Sequence, residues 1–197
     1  MESFAQLLEK ATRIHGHICA GQVLGVRMAM AGLEWIGIHD PQGADRKKLY
    51  VLVEIDRCAT DAIQSVTGCS LGKRSLRWLD FGIMAATFVN LETGKAVRIV
   101  AREESRELAD SYCPEIENRY DRQLEAYKQM PLNELFTFQP VRVPLRDCDM
   151  PGRPTRRVQC QRCGDWVQDH RDQLQDGEII CQACAGARYY EPLGPVE

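Results

Sequence analysis

The sequence predicts an α+β protein in which a mixed helix/sheet core domain is followed by a small cysteine-rich module. Helical periodicity near the start, short apolar runs rich in β-branched residues in the middle, and two C-x2-C pairs near the end support this class. The chain has 197 residues, enough for one ordinary domain and a small module. We therefore assign residues 1–150 to the core domain and residues 156–190 to the module, with a Pro- and Gly-containing linker over residues 145–155.

The composition is that of a globular protein, and the net charge argues against one class of function, general nucleic-acid binding. Hydrophobic residues make up 44% of the chain and charged residues 27%, which excludes a disordered chain. The net charge of -3 argues against a general nucleic-acid binder, which normally carries a strongly basic face. The N-terminus has no signal-peptide pattern, and no apolar run approaches the length of a membrane span. We therefore expect a cytoplasmic protein whose nine cysteines serve as metal ligands or reactive thiols rather than disulfides.

Two helices are predicted near the start, on either side of a stretch bracketed by glycines. Ser3 and Gln6 form a capping-box pattern that begins a helix extending to Arg13. The second helix is predicted over Gln22–Leu33. The intervening His15–Gly21 combines two imidazoles and a thiol at a break between elements.

The rest of the core domain alternates apolar runs with turn signals. Leu49–Ile55 is a short β-branched run and predicts a buried strand. The further elements predicted in chain order are a helix over Asp61–Val66, strands over Phe81–Asn90 and Lys95–Val100 around a Thr93-Gly94 turn, helices over Arg102–Ser111 and Pro114–Met130, and a short strand over Val141–Val143.

Four cysteines near the C-terminus predict a structural zinc site. They are Cys160, Cys163, Cys181 and Cys184. Two C-x2-C pairs at this separation are a strong zinc signature, and four thiolates leave no open coordination position. A knuckle at the first pair, a hairpin turn at Asp176-Gly177 and a helix at the second pair together predict a treble-clef zinc finger. So small a module depends on its metal for much of its folding energy.

A second cluster of metal-ligand residues lies in the core domain. The candidates for a core metal or reactive site are His17, Cys19, Cys58 and Cys69, each at a break between elements. If the second helix packs on the strand that ends at Ile55, the two regions converge in a mixed His/Cys site with an open position for water or a ligand. Alternatively, Cys58 and Cys69 are small buried core residues, and for Cys69 this interpretation is the preferred one.

Three further residues have candidate roles around this site. His15 and Asp61 are candidates for orienting a ligand or for acid/base chemistry. Lys73 is a candidate contact for an anion, although a solvated Lys73–Arg74 pair is the more common explanation. Gly68–Lys73 is not a phosphate-binding P-loop, because its glycines are separated by three residues rather than four and a helix precedes it.

Three motifs of the core domain closely resemble the FmdE family, proteins related to the FmdE component of formylmethanofuran dehydrogenase. They are His15–Ala29, Cys58–Gln64 and Thr67–Lys73. The resemblance implies an α+β core with an appended treble-clef zinc finger, usually in a homodimer, in anaerobic archaea and bacteria. It also implies a molybdenum or tungsten enzyme as a partner. Ala20, where the family has proline, and Arg74, where a small residue is usual, depart from the pattern.

Three functions are compatible with these residues. The first is a metal-binding accessory protein of a molybdenum- or tungsten-dependent formylmethanofuran dehydrogenase, since the chain shows no iron–sulfur cysteine run of its own. The second is a free-standing metalloenzyme that uses His17, Cys19 and Cys58. The third is a protein- or nucleic-acid-binding zinc finger, and the near balance of charges in the finger makes this the least favoured of the three functions.

Overall fold

The computed structural model describes residues 2–194, and the chain divides between Pro144 and Leu145 into two compact units. The first unit combines helices with one five-stranded sheet, and the second is built of short strands around four cysteines. This confirms the α+β class with a small C-terminal cysteine module. Within residues 2–194 no helix combines the length and the apolar character needed to cross a membrane.

The helices of the first unit begin and end close to the sequence signals. The predicted capping box is present, because the side chains of Ser3 and Gln6 each accept a hydrogen bond from the other residue's backbone N–H. The helix predicted from Pro114 begins later, at Arg119, because the Asn118 side chain caps it by accepting from two backbone N–H groups. The helices are α1 Phe4–His15, α2 Ala20–Ile36, α3 Cys58–Thr67, α4 Ser105–Tyr112, α5 Arg119–Gln129 and α6 Leu132–Leu135.

The sheet of the first unit is mostly antiparallel. Its strands are β1 Leu49–Val53, β2 Leu76–Trp78, β3 Ala85–Asn90, β4 Ala96–Ala101 and β5 Phe136–Pro140, in the order β2-β1-β3-β4-β5. Only β1 and β2 run parallel to each other among these neighbours. The sequence did not predict β2, and the last strand lies at Phe136–Pro140 rather than at Val141–Val143. Phe88 on β3 and Ile99 on β4 are fully buried in the core that the sheet shares with the helices.

Helix α2 is the central helix of the first unit, and it packs very closely against α3. A Cβ atom placed on Gly25 would lie 2.4 Å from the carbonyl oxygen of Ala59 and 2.7 Å from Cβ of Ala62. Only glycine therefore permits the two helices to lie this close, because any side chain at this position would displace the backbone of α3. The approach brings Cys19, at the N-terminus of α2, close to Cys58, the first residue of α3.

The second unit consists of two hairpins followed by a short helical turn. Its strands are β6 Arg157–Gln159, β7 Trp166–Gln168, β8 Gln173–Gln175 and β9 Glu178–Ile180, paired β6 with β7 and β8 with β9. The predicted Asp176-Gly177 turn joins β8 to β9, and the helical turn is Ala183–Ala187. The segment that the sequence assigned to a linker contributes to this unit, because buried Asp149 forms ion pairs with Arg146 and Arg171.

We predict that Gly25→Ala destabilises the first unit by about 1–3 kcal/mol, because overpacking against the α3 backbone outweighs the usual gain of alanine in a helix. Urea unfolding followed by circular dichroism measures this. Gly72→Ala is the matched control, since a Cβ there meets nothing within 4 Å. A Gly25→Ala variant as stable as the wild type would show that α2 and α3 are not in such close contact.

Candidate metal centres

The core site is built on the turn that joins α1 to α2. Gly16 ends α1 in a left-handed conformation, with φ of 92°, and turns the chain out of the helix. The rings of His15 and His17 have centroids 4.5 Å apart. One ligand atom from each of His15, His17 and Cys19 lies within 4.8 Å of the other two. Three donors of the kinds that bind zinc and related metals therefore meet on one turn.

His15 is held by a carboxylate from the first turn of α3. Its Nδ1 lies 2.7 Å from Oδ2 of Asp61. Its other ring nitrogen, Nε2, is buried and has no hydrogen-bond partner among residues 2–194. An imidazole that donates through Nδ1 to a carboxylate keeps a lone pair on Nε2, the form in which histidine binds metals. The geometry therefore makes His15 a candidate ligand, whereas the sequence suggested for it only an orienting or acid/base role.

Cys58 lies beside Cys19 at the meeting point of α2 and α3. A Cβ on Gly21 would lie 3.1 Å from Cβ of Cys58 and 3.7 Å from Sγ of Cys19, so glycine leaves room for both thiols. Burial raises the pKa of Cys58, and the neighbouring Cys19 side chain raises it further. Cys58 does not belong to the group of ligand atoms within 4.8 Å of one another. The structure therefore places it next to the three donors as a neighbouring thiol.

The two remaining candidates of the core domain lie elsewhere. Cys69 is 4% exposed and packs in the hydrophobic core, where burial raises the pKa of its thiol. Lys73 is exposed, and its Nζ donates to the carbonyl of Gly68 at 2.9 Å. This hydrogen bond links the two ends of the loop in which Lys73 lies. We therefore omit Cys69 from the proposed site and give Lys73 no role in it.

The four C-terminal cysteines form the second group. Ligand atoms of Cys160, Cys163, Cys181 and Cys184 all lie within 4.8 Å of one another. The backbone N–H of Cys181 donates to Sγ of Cys160 at 3.3 Å, and that of Cys184 donates to Sγ of Cys181 at 3.4 Å. The backbone N–H of Cys163 has the largest share in lowering the pKa of Cys160 to about 6, which favours the thiolate. This donor set fits a tetrahedral metal ion such as zinc.

Fold and sites together define an α+β protein with two clusters of metal-ligand residues. A model of the FmdE family, described as "Molybdenum formylmethanofuran dehydrogenase operon", matches residues 14–137. The chain therefore belongs to the FmdE family. The match contains the core cluster and Asp61, and it ends before the four-cysteine module.

Two known proteins resemble the chain over almost all of its length. A "Probable S-adenosyl-L-methionine-binding protein" from Archaeoglobus fulgidus is 30% identical over 205 residues, covering 96% of this chain and 55% of that protein. The chain thus spans about half the length of this curated relative. The crystal structure of a tungsten formylmethanofuran dehydrogenase FmdE-like protein from Syntrophus aciditrophicus superimposes with a TM-score of 0.61 at 22% identity, covering 96% of each chain. That similarity confirms the fold.

We predict that Cys163→Ser removes one metal equivalent and unfolds the C-terminal module, because small thiolate-bound modules depend on their metal for folding. Cys163 is exposed, so the exchange does not itself disturb packing. Elemental analysis and limited proteolysis mapped by mass spectrometry measure the two effects, with new cleavage expected beyond residue 145. Cys69→Ala is the control. A Cys163→Ser variant with full metal content and wild-type protease resistance would contradict the prediction.

Proposed function

We propose that this FmdE-family chain is a metal-binding accessory protein with two sites of different purpose. A structural zinc ion binds the four C-terminal cysteines, and a second transition metal binds His15, His17 and Cys19 in the core domain. The observation that supports the core site most directly is the meeting of these three donor atoms within 4.8 Å, with the buried Nε2 of His15 among the nitrogens available to a metal.

The two donor sets suit different tasks. Four thiolates close the coordination of zinc, as in structural sites. Two imidazoles and one thiolate leave one position open, and a metal bound there can polarise a ligand or lower the pKa of a water molecule. His17 is exposed, which gives that position access to solvent. The three-donor set, which would leave a fourth position open on a tetrahedral metal, is the observation that favours a free-standing metalloenzyme as the second candidate function.

The partner of the accessory protein is proposed from the family. Its description names a molybdenum formylmethanofuran dehydrogenase operon, and the genes of one operon commonly encode proteins that act together. We therefore propose a cytoplasmic homodimer, in an anaerobic organism, that assists a molybdenum- or tungsten-dependent enzyme of this type. The resemblance of the three core motifs to the family supports the dimer.

We predict that the purified wild type holds two metal ions per chain and that Cys19→Ser holds one. Cys58→Ser is expected to keep both, because Cys58 lies outside the three-donor group. Elemental analysis of anaerobically purified protein measures the content, with Cys69→Ala as the matched control. One metal per chain in the wild type would contradict the proposed core site. Loss of a metal from Cys58→Ser would show that Cys58 is a fourth ligand.

We predict that the tagged chain, expressed in an organism that makes formylmethanofuran dehydrogenase, co-purifies with a molybdenum or tungsten protein. Quantitative mass spectrometry and elemental analysis of the eluate measure this. The tagged C-terminal module alone, residues 145–197, is the comparison for binding through the finger. Purified chain that turns over a substrate with no such protein present would instead favour the metalloenzyme.

A further inference from the structure

We infer that Asp61 is a positioning residue of the core metal site, which acts by holding His15 in the ring orientation and tautomer that present Nε2 to the metal. The inference rests on the proposed core site and deepens it. It adds to the site a carboxylate that comes from a different helix, 46 residues away from His15.

The first observation is the direction of the hydrogen bond. Asp61 contacts Nδ1 of His15 at 2.7 Å, and a carboxylate can only accept there, so the proton of a neutral imidazole lies on Nδ1. Nε2 then carries the lone pair. The carboxylate also fixes the orientation of the ring, as in carboxylate–histidine–metal arrangements.

The second observation is the surroundings of Nε2. This nitrogen is buried and has no hydrogen-bond partner within residues 2–194, although the ring is held firmly at its other nitrogen. Buried polar atoms are almost always satisfied, so each of the few exceptions among the described residues, of which Nε2 of His15 is one, needs an explanation. The donor atoms of His17 and Cys19 beside His15 supply one, because a shared metal ion would satisfy Nε2.

The third observation is the placement of Asp61 itself. It lies in the first turn of α3, the helix that packs against both α1 and α2. The close α2–α3 contact at Gly25 fixes where this turn lies relative to Cys19. The Asp61 side chain is 45% exposed and that of His15 is 14% exposed, so the contact between them adds little to stability. Orientation of the ring is the larger effect to expect from such a contact.

The test compares metal affinity at the core site in wild type, Asp61→Ala and Asp61→Asn. Competition with a chromophoric chelator gives the dissociation constant for Zn²⁺, and Co²⁺ absorption bands report the ligand geometry. The second site in the four-cysteine module is an internal reference that should not change. We expect the core site of Asp61→Ala to bind about 10–100-fold more weakly. Asp61→Asn should also bind more weakly, because its amide can donate to Nδ1 and move the ring proton to Nε2.

Asp56→Asn is the matched control. Asp56 is exposed, lies two residues before the start of α3, and carries the same charge without holding the ring of His15, whose Nδ1 is taken by Asp61. It therefore tests whether loss of a negative charge alone weakens binding, and we expect less than about a threefold change. Circular dichroism and thermal unfolding of each variant identify any loss of fold, and Asp61→Asn keeps the volume of the side chain.

Each outcome bears on one level of the proposal. Weaker core binding in both folded Asp61 variants, with altered Co²⁺ bands and an unchanged Asp56→Asn, supports the positioning role. Two metals in the wild type and unchanged core affinity in folded Asp61→Asn would overturn that role and leave the proposed function intact. A wild type that binds metal only at the four cysteines would overturn the proposed function and this inference together.

Discussion

The close packing of α2 on α3 is the contact on which the core site depends. At Gly25 the two helices are so near that any side chain would meet the carbonyl of Ala59. This approach places the N-termini of both helices side by side, with Cys19 on one and Cys58 on the other. Helix packing thus places Cys58 and Asp61 of α3 beside the three donors, which one turn gathers.

The three donors come from one short segment, whereas the carboxylate that holds the ring of His15 comes from α3, which is distant in the sequence. His15, His17 and Cys19 lie within five consecutive residues, so the turn after Gly16 alone can gather them. A turn of this kind has little intrinsic rigidity. Asp61 compensates because α3 is firmly packed in the core, and its carboxylate holds the ring of His15 from that fixed base.

The sequence predicted the parts of the structure that depend on local signals. The capping box of α1 and the turn at Asp176-Gly177 are encoded by neighbouring residues, and the paired cysteines define their own module. The contact of His15 with Asp61 was harder to predict because the two residues are distant in the chain. β2 is short, with only three residues, and it pairs in parallel with β1, so no hairpin signal indicated it. Helix α5 begins at Arg119, after its cap Asn118, and not at Pro114 as the proline alone had suggested.

The two proposed metal sites would differ in how much of the fold they support. The second unit has short strands, and Cys160 and Ile180 are its most deeply buried hydrophobic side chains among the described residues, so a metal bound by the four cysteines would replace a missing core. The first unit has a continuous hydrophobic core around Phe88 and Ile99, so the proposed core metal does not have to supply one. A metal bound at its open, solvent-accessible position is therefore free to exchange ligands without loss of the fold. A set of four thiolates is suited to a metal that stabilises the fold, and a set of three mixed donors is suited to a metal that takes part in chemistry.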